Sequence, residues 1–237
     1  MKPFFRTALM IGMMSAFSVD AAAQQTTSMN TKTIRTMTGA KATPSLSASE
    51  TALIVVDIQN EYYASKDFRG QMVIPDGEKV LKNSQKLVSY AHQKGIPVYF
   101  IRHMGPKDGP LFAEGSVYAQ FHKDLQPSAQ DAIITKATPS SFVGTDLDAQ
   151  LKKKGIKTVI VIGLMTHMCI SSTARDAVPL GYSVIIPEDA TATRDLDDDQ
   201  GGVVDHKTLQ RAALAGVADV FAEIMTTEDV IALPVTK

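Results

Sequence analysis

From residue 51 onward the chain alternates between two patterns of apolar and polar positions. Short runs rich in Val, Ile and aromatic residues recur at "TALIVVDI" (51–58), "IPVYFIRH" (96–103), "DAIITK" (131–136), "TVIVIGL" (158–164) and "YSVIIPEDA" (182–190). They are too continuously apolar for strands with one wet face, so they read as strands buried on both sides. Between them, apolar residues fall at helical spacing. The segment 75–95 has Pro75 near its start, Val80, Leu81, Leu87 and Val88 on one face, and Gly95 as a stop. The segment 145–155 reads as a helix with Thr145 as N-cap and Gly155 at C′. Helices are also expected over 166–181 and 205–217, and a sixth strand at or near "ADVFA" (218–222). Strands alternating with helices make βαβ units and a parallel sheet, so the fold class is α/β. In such sheets ligands bind beyond the carboxyl ends of the strands.

Before residue 51 the pattern is different. "MKPFFR" carries Lys2 and Arg6, residues 7–19 are almost wholly apolar, and "DAAAQ" offers small residues at Ala21 and Ala23. This is the layout of a secretory signal peptide over 1–23, with cleavage after Ala23. The alternative is an N-terminal anchor, against which the apolar run is short for a membrane span of about 20 residues. Residues 24–50, rich in Thr and Ser, read as a flexible leader, and 51–237 as the folded domain. The expected location is therefore outside the cytoplasm, periplasmic or secreted, with no membrane attachment once the signal is removed.

Composition narrows the partners. Charged residues make up 21% of the chain and the net charge is −1, with no basic excess of the kind that marks nucleic-acid binders. The single cysteine, Cys169, is informative in an exported chain, where cysteines are ordinarily paired. It is a buried inert thiol, half of an intermolecular bond, or a reactive group.

The strand ends supply the candidate chemistry. Asp57 ends the first strand, His103 the second and Lys136 the third, while Cys169 follows the fourth at the start of a helix. Parallel strands bring all four to one rim. Taken singly, each has an ordinary explanation: a loop acid or cap, a structural histidine, a surface lysine, a small buried hydrophobe. Together they make an activated nucleophile, with a cation to stabilise thiolate and a carboxylate to accept its proton. The helix N-terminus is expected to lower the thiol pKa. Backbone N–H groups of "GLMTHMC" are candidates for an oxyanion hole, with Gly163 allowing the bend.

At these residues the sequence resembles the isochorismatase-like cysteine hydrolase superfamily. The likeness rests on "ALIVVDIQNEY" and on "ITKATPSSFVGTDLDAQLKKKGIKTVIVIGLMTHMCISSTARDAVPLGYSVIIPEDATAT", which lie in order and span nearly the whole domain. The resemblance implies a three-layer α/β/α, Rossmann-like fold around a six-stranded, mainly parallel sheet. It implies a triad of Asp57, Lys136 and Cys169, a cis peptide at Leu164–Met165, and an oxyanion hole from the N–H groups of Met165 and Cys169. Gln59, Tyr62, His103 and Phe142 stand where substrate-binding or pocket residues are expected, Gln59 alternatively positioning Asp57. Nicotinamidases of this family bind a metal through Asp-x-His after the second strand. Here no Asp stands two residues before His103, and Asp108 and His122 do not complete a metal-ligand spacing, so neither a metal nor another cofactor is expected.

The function implied is a cysteine-dependent hydrolase of a small amide, ureido or cyclic imide substrate, acting through a thioester. The alternatives are a vinyl ether hydrolase of the isochorismatase type, and a non-catalytic binding protein on the same fold. A small-molecule substrate and a homo-oligomer, dimer or tetramer, complete the expectation.

Overall fold

The computed structural model describes residues 31–64, 66 and 69–237. The expected signal peptide lies outside the described residues. A short helix α1 (Ile34–Met37) and strand β1 (Leu46–Ser47) precede β2 (Thr51–Val56). Helix α2 (Gly77–Lys94) leads to β3 (Val98–His103). A long irregular stretch then reaches β4 (Ala132–Lys136), α3 (Leu147–Lys153) and β5 (Thr158–Leu164). After β5 come a single π-helical turn (Thr166–Ile170), α4 (Ser171–Ala177) and β6 (Ser183–Pro187). The chain ends through β7 (Thr191–Ala192), β8 (Leu196–Asp197), β9 (Val203–Val204), α5 (His206–Ala218), β10 (Glu223–Met225), α6 (Thr227–Ala232) and β11 (Val235–Thr236).

The central sheet has the order β10-β6-β5-β2-β3-β4, every neighbour parallel, and short β7 lies against β5. All six residues of β2 are buried, which is why its sequence shows no alternation. Leu53 and Val55 join a core with α2 and with Val230 of α6. Ala52, Ile54 and Val56 join the opposite core, with residues of α3, α4 and α5. The expected α/β/α layering follows from that division. Among the described residues, no helix is long and apolar enough to cross a membrane.

Several element ends differ from the sequence expectation, each for a local reason. The strand expected over 182–190 stops at Pro187, which has no N–H for the ladder. One 3-10 turn follows, and β7 then takes the place beside Gly163 and Leu164 that β6 has left. The sixth strand falls at Glu223–Met225 instead of 218–222, because Phe221 and Ala222 donate to Val217 O and close off α5. Asp146, instead of Thr145, stands at the N-cap of α3, although Leu147 N–H donates to Thr145 Oγ1 at 3.3 Å. Gly155, at φ +72°, follows the Lys154 cap in the C′ position. The charged stretch 194–202 includes one arm of a small antiparallel β8–β9 pair.

The part of the expected leader that is described carries contacts with the domain. Leu46 is 1% exposed and β1 runs parallel to β11 at the far end of the chain. Thr43 donates from its backbone and hydroxyl to the Glu223 carboxylate, and Glu50 O accepts from Lys157 and Thr158. Unpaired edge backbone in the C-terminal segment and one apolar side chain are enough to hold a Thr/Ser-rich strand that hydrophobic patterning overlooks.

Gly163 is the glycine on which the sheet's rim depends. Its φ is +114°, and a Cβ there would meet Val56 O at 2.0 Å. By contrast, Gly155 is also left-handed but has open space around it. Gly163→Ala is therefore expected to lower unfolding free energy by about 3 kcal/mol or more, from strain plus overpacking. Gly155→Ala should cost only about 1–2 kcal/mol. Urea midpoints of the two variants check this, and equal losses would refute the close-approach account.

Candidate active site

The carboxyl ends of β2, β3 and β4 and the turn after β5 converge on one buried cluster. Asp57 follows the last residue of β2 with φ +53°, a left-handed conformation that turns its side chain out of the strand's alternation. Its N–H still donates to Ile101 O at 3.0 Å, so the bend begins inside the sheet. His103 and Lys136 are register partners at the ends of β3 and β4. Cys169 lies in the π-helical turn that the chain enters from β5 through the cis Leu164–Met165 peptide. Thus the structure brings together the acid, the amine and the thiol named from sequence.

Lys136 Nζ is the hub. It stands 2.7 Å from Asp57 Oδ2, with both side chains fully buried. It donates to Cys169 Sγ at 3.4 Å, to His103 Nδ1 at 3.1 Å and to Thr138 O at 3.1 Å. The approach to Asp57 is close yet off the hydrogen-bonding direction, and the Cys169 thiol also stands within hydrogen-bonding reach of the Asp57 carboxylate. A buried carboxylate so placed is an acceptor for the thiol hydrogen.

Electrostatics correct one expectation. The Cys169 thiol is pushed up to about 12. Burial is the main cause and Asp57 adds to it, while Lys136 works in the opposite direction. The helix N-terminus does not win: desolvation of a side chain 5% exposed outweighs it. Cys169 therefore rests as a thiol at neutral pH. Burial and the Lys136 charge lower the His103 pKa, which keeps the imidazole neutral at neutral pH. Since an ammonium can only donate, His103 Nδ1 is the acceptor and its hydrogen sits on Nε2.

The other named residues divide. Gln59 is fully buried and its carboxamide is spent on backbone: Oε1 accepts from His103 N–H at 2.8 Å, and Nε2 donates to His103 O and Ala119 O. It positions the rim of the site and is not available to a substrate. Tyr62 is buried beside the cluster, its pKa raised by burial first and then by Cys169 and Asp57. Phe142 stacks on Tyr182 at 5.8 Å in the core cluster that also holds Cys169 and residues of α3 and α4. His103 faces Lys136 and has Phe112 4.9 Å from its ring. His122 packs on Tyr63 and accepts from Asp124 N–H, away from His103's partners. The Met165 carbonyl accepts from Met168 and Ile170 N–H, which fixes the turn from which the expected oxyanion donors project.

Sequence reasoning missed three contributors. Thr138 enters only through its carbonyl, which no side-chain motif reports. Phe112, at φ +49°, edges Tyr62 at 5.3 Å as well as flanking His103. Glu61 is 1% exposed and accepts the N–H groups of Gln71 and Phe112, tying two loop segments beside the site. Its position straight after "DIQN" was the available signal.

The chain thus carries an acid, an amine and a thiol at the carboxyl rim of a parallel sheet in a Rossmann-like α/β fold. The isochorismatase domain model matches residues 51–229, and the chain belongs to the isochorismatase family of hydrolases. It is 33% identical over 184 residues to the secreted isochorismatase effector Isc1 of Verticillium dahliae, covering 78% of this chain and 92% of that one. It is 30% identical over 214 residues to the ureidoacrylate amidohydrolase RutB of Acinetobacter baylyi, covering 77% and 83%. Among solved structures, an isochorismatase from Pseudomonas putida KT2440 superposes with a TM-score of 0.75 at 30% identity, covering 84% of this chain and 98% of that one.

Two measurements probe the cluster. With a thiol pKa near 12, the thiolate fraction at pH 7 is on the order of 10⁻⁵, and it grows about tenfold per pH unit. Iodoacetamide alkylation of the free protein should accordingly be slow at pH 7 and climb through pH 10 without a plateau. A plateau near pH 7 would show an activated resting thiolate. Lys136→Met leaves the Asp57 charge buried and unpaired, at an expected cost of about 3–5 kcal/mol in urea unfolding. Asp57→Asn combined with Lys136→Met should recover part of that loss.

Proposed function

We propose that the protein is a cysteine-dependent hydrolase of a small amide, ureido or cyclic imide, acting through a thioester held on Cys169. The observation that carries this reading is the shared Lys136 Nζ, 2.7 Å from Asp57 and 3.4 Å from Cys169 Sγ in one buried cluster. The RutB relative, named an amidohydrolase, supports a C–N bond as the target.

The reaction follows from the groups present. Asp57 takes the Sγ proton as sulfur bonds to the substrate carbonyl carbon, and Lys136 offsets the negative charge passing through the sulfur. Backbone N–H groups of Met165 and Cys169 hold the oxyanion, each such donor being worth about 3–4 kcal/mol in other enzymes. The C–N bond breaks as Asp57 returns the proton to the leaving nitrogen. Water then gives Asp57 a proton while its oxygen attacks the thioester carbonyl. The C–S bond breaks, the acid leaves, and the proton returns to sulfur. Tyr62 and Phe112, whose rings meet at 5.3 Å, stand beside the reacting groups.

A second reading, vinyl ether hydrolysis with Asp57 as proton donor, is favoured by the likeness to the isochorismatase effector Isc1. That relative is described as secreted, which also supports export of this chain through a signal peptide at 1–23. Oligomeric assembly belongs to the same proposal and is checked by size-exclusion chromatography with light scattering.

The deciding experiment is a screen of the purified mature protein against amides, ureas, imides and a vinyl ether, reading ammonia, amine or carboxylate release. We expect turnover of a C–N substrate, with Cys169→Ala reducing kcat/KM by about 10⁴-fold or more. Amide turnover that survives Cys169→Ala would rule out nucleophilic catalysis by this thiol. Turnover confined to the vinyl ether and indifferent to that substitution would select the second reading.

A further inference from the structure

The ammonium of Lys136 has three hydrogens and four neighbours that attract them. Three of these satisfy hydrogen-bond geometry: His103 Nδ1, Thr138 O and Cys169 Sγ. Asp57, the one charged neighbour, is also the nearest, and its contact with the ammonium is the one outside hydrogen-bond geometry. Left to itself, a buried ammonium at that distance from a carboxylate would turn an N–H onto it, since charge-assisted bonds are the stronger ones. Something has to hold the ammonium in its present rotation.

We propose that His103 is a positioning residue whose Nδ1, by accepting one N–H of Lys136, keeps the ammonium aimed at Cys169 and off the Asp57 lone pairs. This rests on the reading of Cys169 as the nucleophile. His103 is suited to the task because it is itself fixed. It is the register partner of Lys136, so the two side chains share a face of adjacent strands. Its backbone N–H and carbonyl are both gripped by the Gln59 carboxamide, and the Phe112 ring lies against its imidazole. Thr138 contributes a second anchor through its carbonyl, so two fixed acceptors set the direction of the third N–H. The result is a division of labour: Lys136 serves the sulfur, and Asp57 remains open to take the proton.

The test compares three substitutions at His103. Asn places a side-chain oxygen near the position of Nδ1, whereas Gln reaches the position of Nε2 and Ala supplies no acceptor. The chain has a single cysteine, so the mass gain on iodoacetamide treatment reports Cys169 alone. At pH 9, the alkylation rates of His103→Gln and His103→Ala should fall about tenfold or more below wild type, equivalent to one unit of thiol pKa. His103→Asn should stay within about threefold. With a substrate from the screen, kcat should follow the same order while KM changes little. Equal alkylation rates for Asn and Gln, or a rate in Ala at or above wild type, would overturn the proposal. If Ala fails to fold, the Asn and Gln pair still decides, because both keep the backbone contacts of Gln59. An Asn–Gln split in a protein that turns over no C–N substrate supports the positioning role while removing the amidase reading, so the two fail separately.

Discussion

A buried ammonium shared among a carboxylate, a thiol, an imidazole and a carbonyl is the interaction on which the site depends. Lys136 and Asp57 are both removed from water, and an uncompensated charge at either position would cost several kcal/mol. Their pairing is therefore obligatory once the sheet closes around them. It also constrains the rest of the rim. The left-handed turn at Asp57, the register that sets His103 opposite Lys136, and the turn that delivers Cys169 all have to place their atoms within hydrogen-bonding reach of one nitrogen. Strands buried on both faces suit that demand, because their ends are held by the two cores and not by loops.

The same cluster explains where sequence reading succeeded and where it did not. Asp57, Lys136 and Cys169 were legible because each closes or follows an apolar run, and parallel strands send such positions to one rim. Gly163 was legible for the same reason, as a glycine at the bend between strand and turn. His103 was legible as a rim residue but not as the partner of Lys136. That pairing depends on the register of β3 against β4, which neither strand specifies alone. Gln59 looked like a polar group at a site and is one, yet its hydrogen bonds go to the backbone of His103 and Ala119. Glu61 and Phe112 could not be placed at all. They meet through the irregular stretch between β3 and β4, where no hydrophobic period reports which residue turns inward.

The docked leader shows the complementary limit. Thr43, Leu46 and Glu50 are held mainly by backbone and hydroxyl hydrogen bonds to segments more than a hundred residues away. Composition describes such a stretch as polar and poor in core residues, which is accurate. What composition does not carry is the partner each residue finds: the β11 backbone for Leu46, the Glu223 carboxylate for Thr43, and the N–H groups of Lys157 and Thr158 for Glu50.

The resting state of the thiol gives the lone cysteine its physical sense. An exposed thiolate in an oxidising compartment is open to disulfide exchange and to sulfenic acid formation, both of which proceed through the thiolate. Cys169 avoids both conditions: it is 5% exposed and burial keeps its proton on. In the reaction we propose, the cost is that the sulfur is a weak nucleophile until its proton leaves, so the base has to be poised in advance. On that proposal, Asp57 meets the need while Lys136 stays turned toward the sulfur and leaves the carboxylate free to accept the thiol hydrogen. Protection of the thiol and readiness of the base are thus two consequences of one hydrogen-bonding choice at Lys136. A chain that we propose is exported can then keep a single cysteine without a partner.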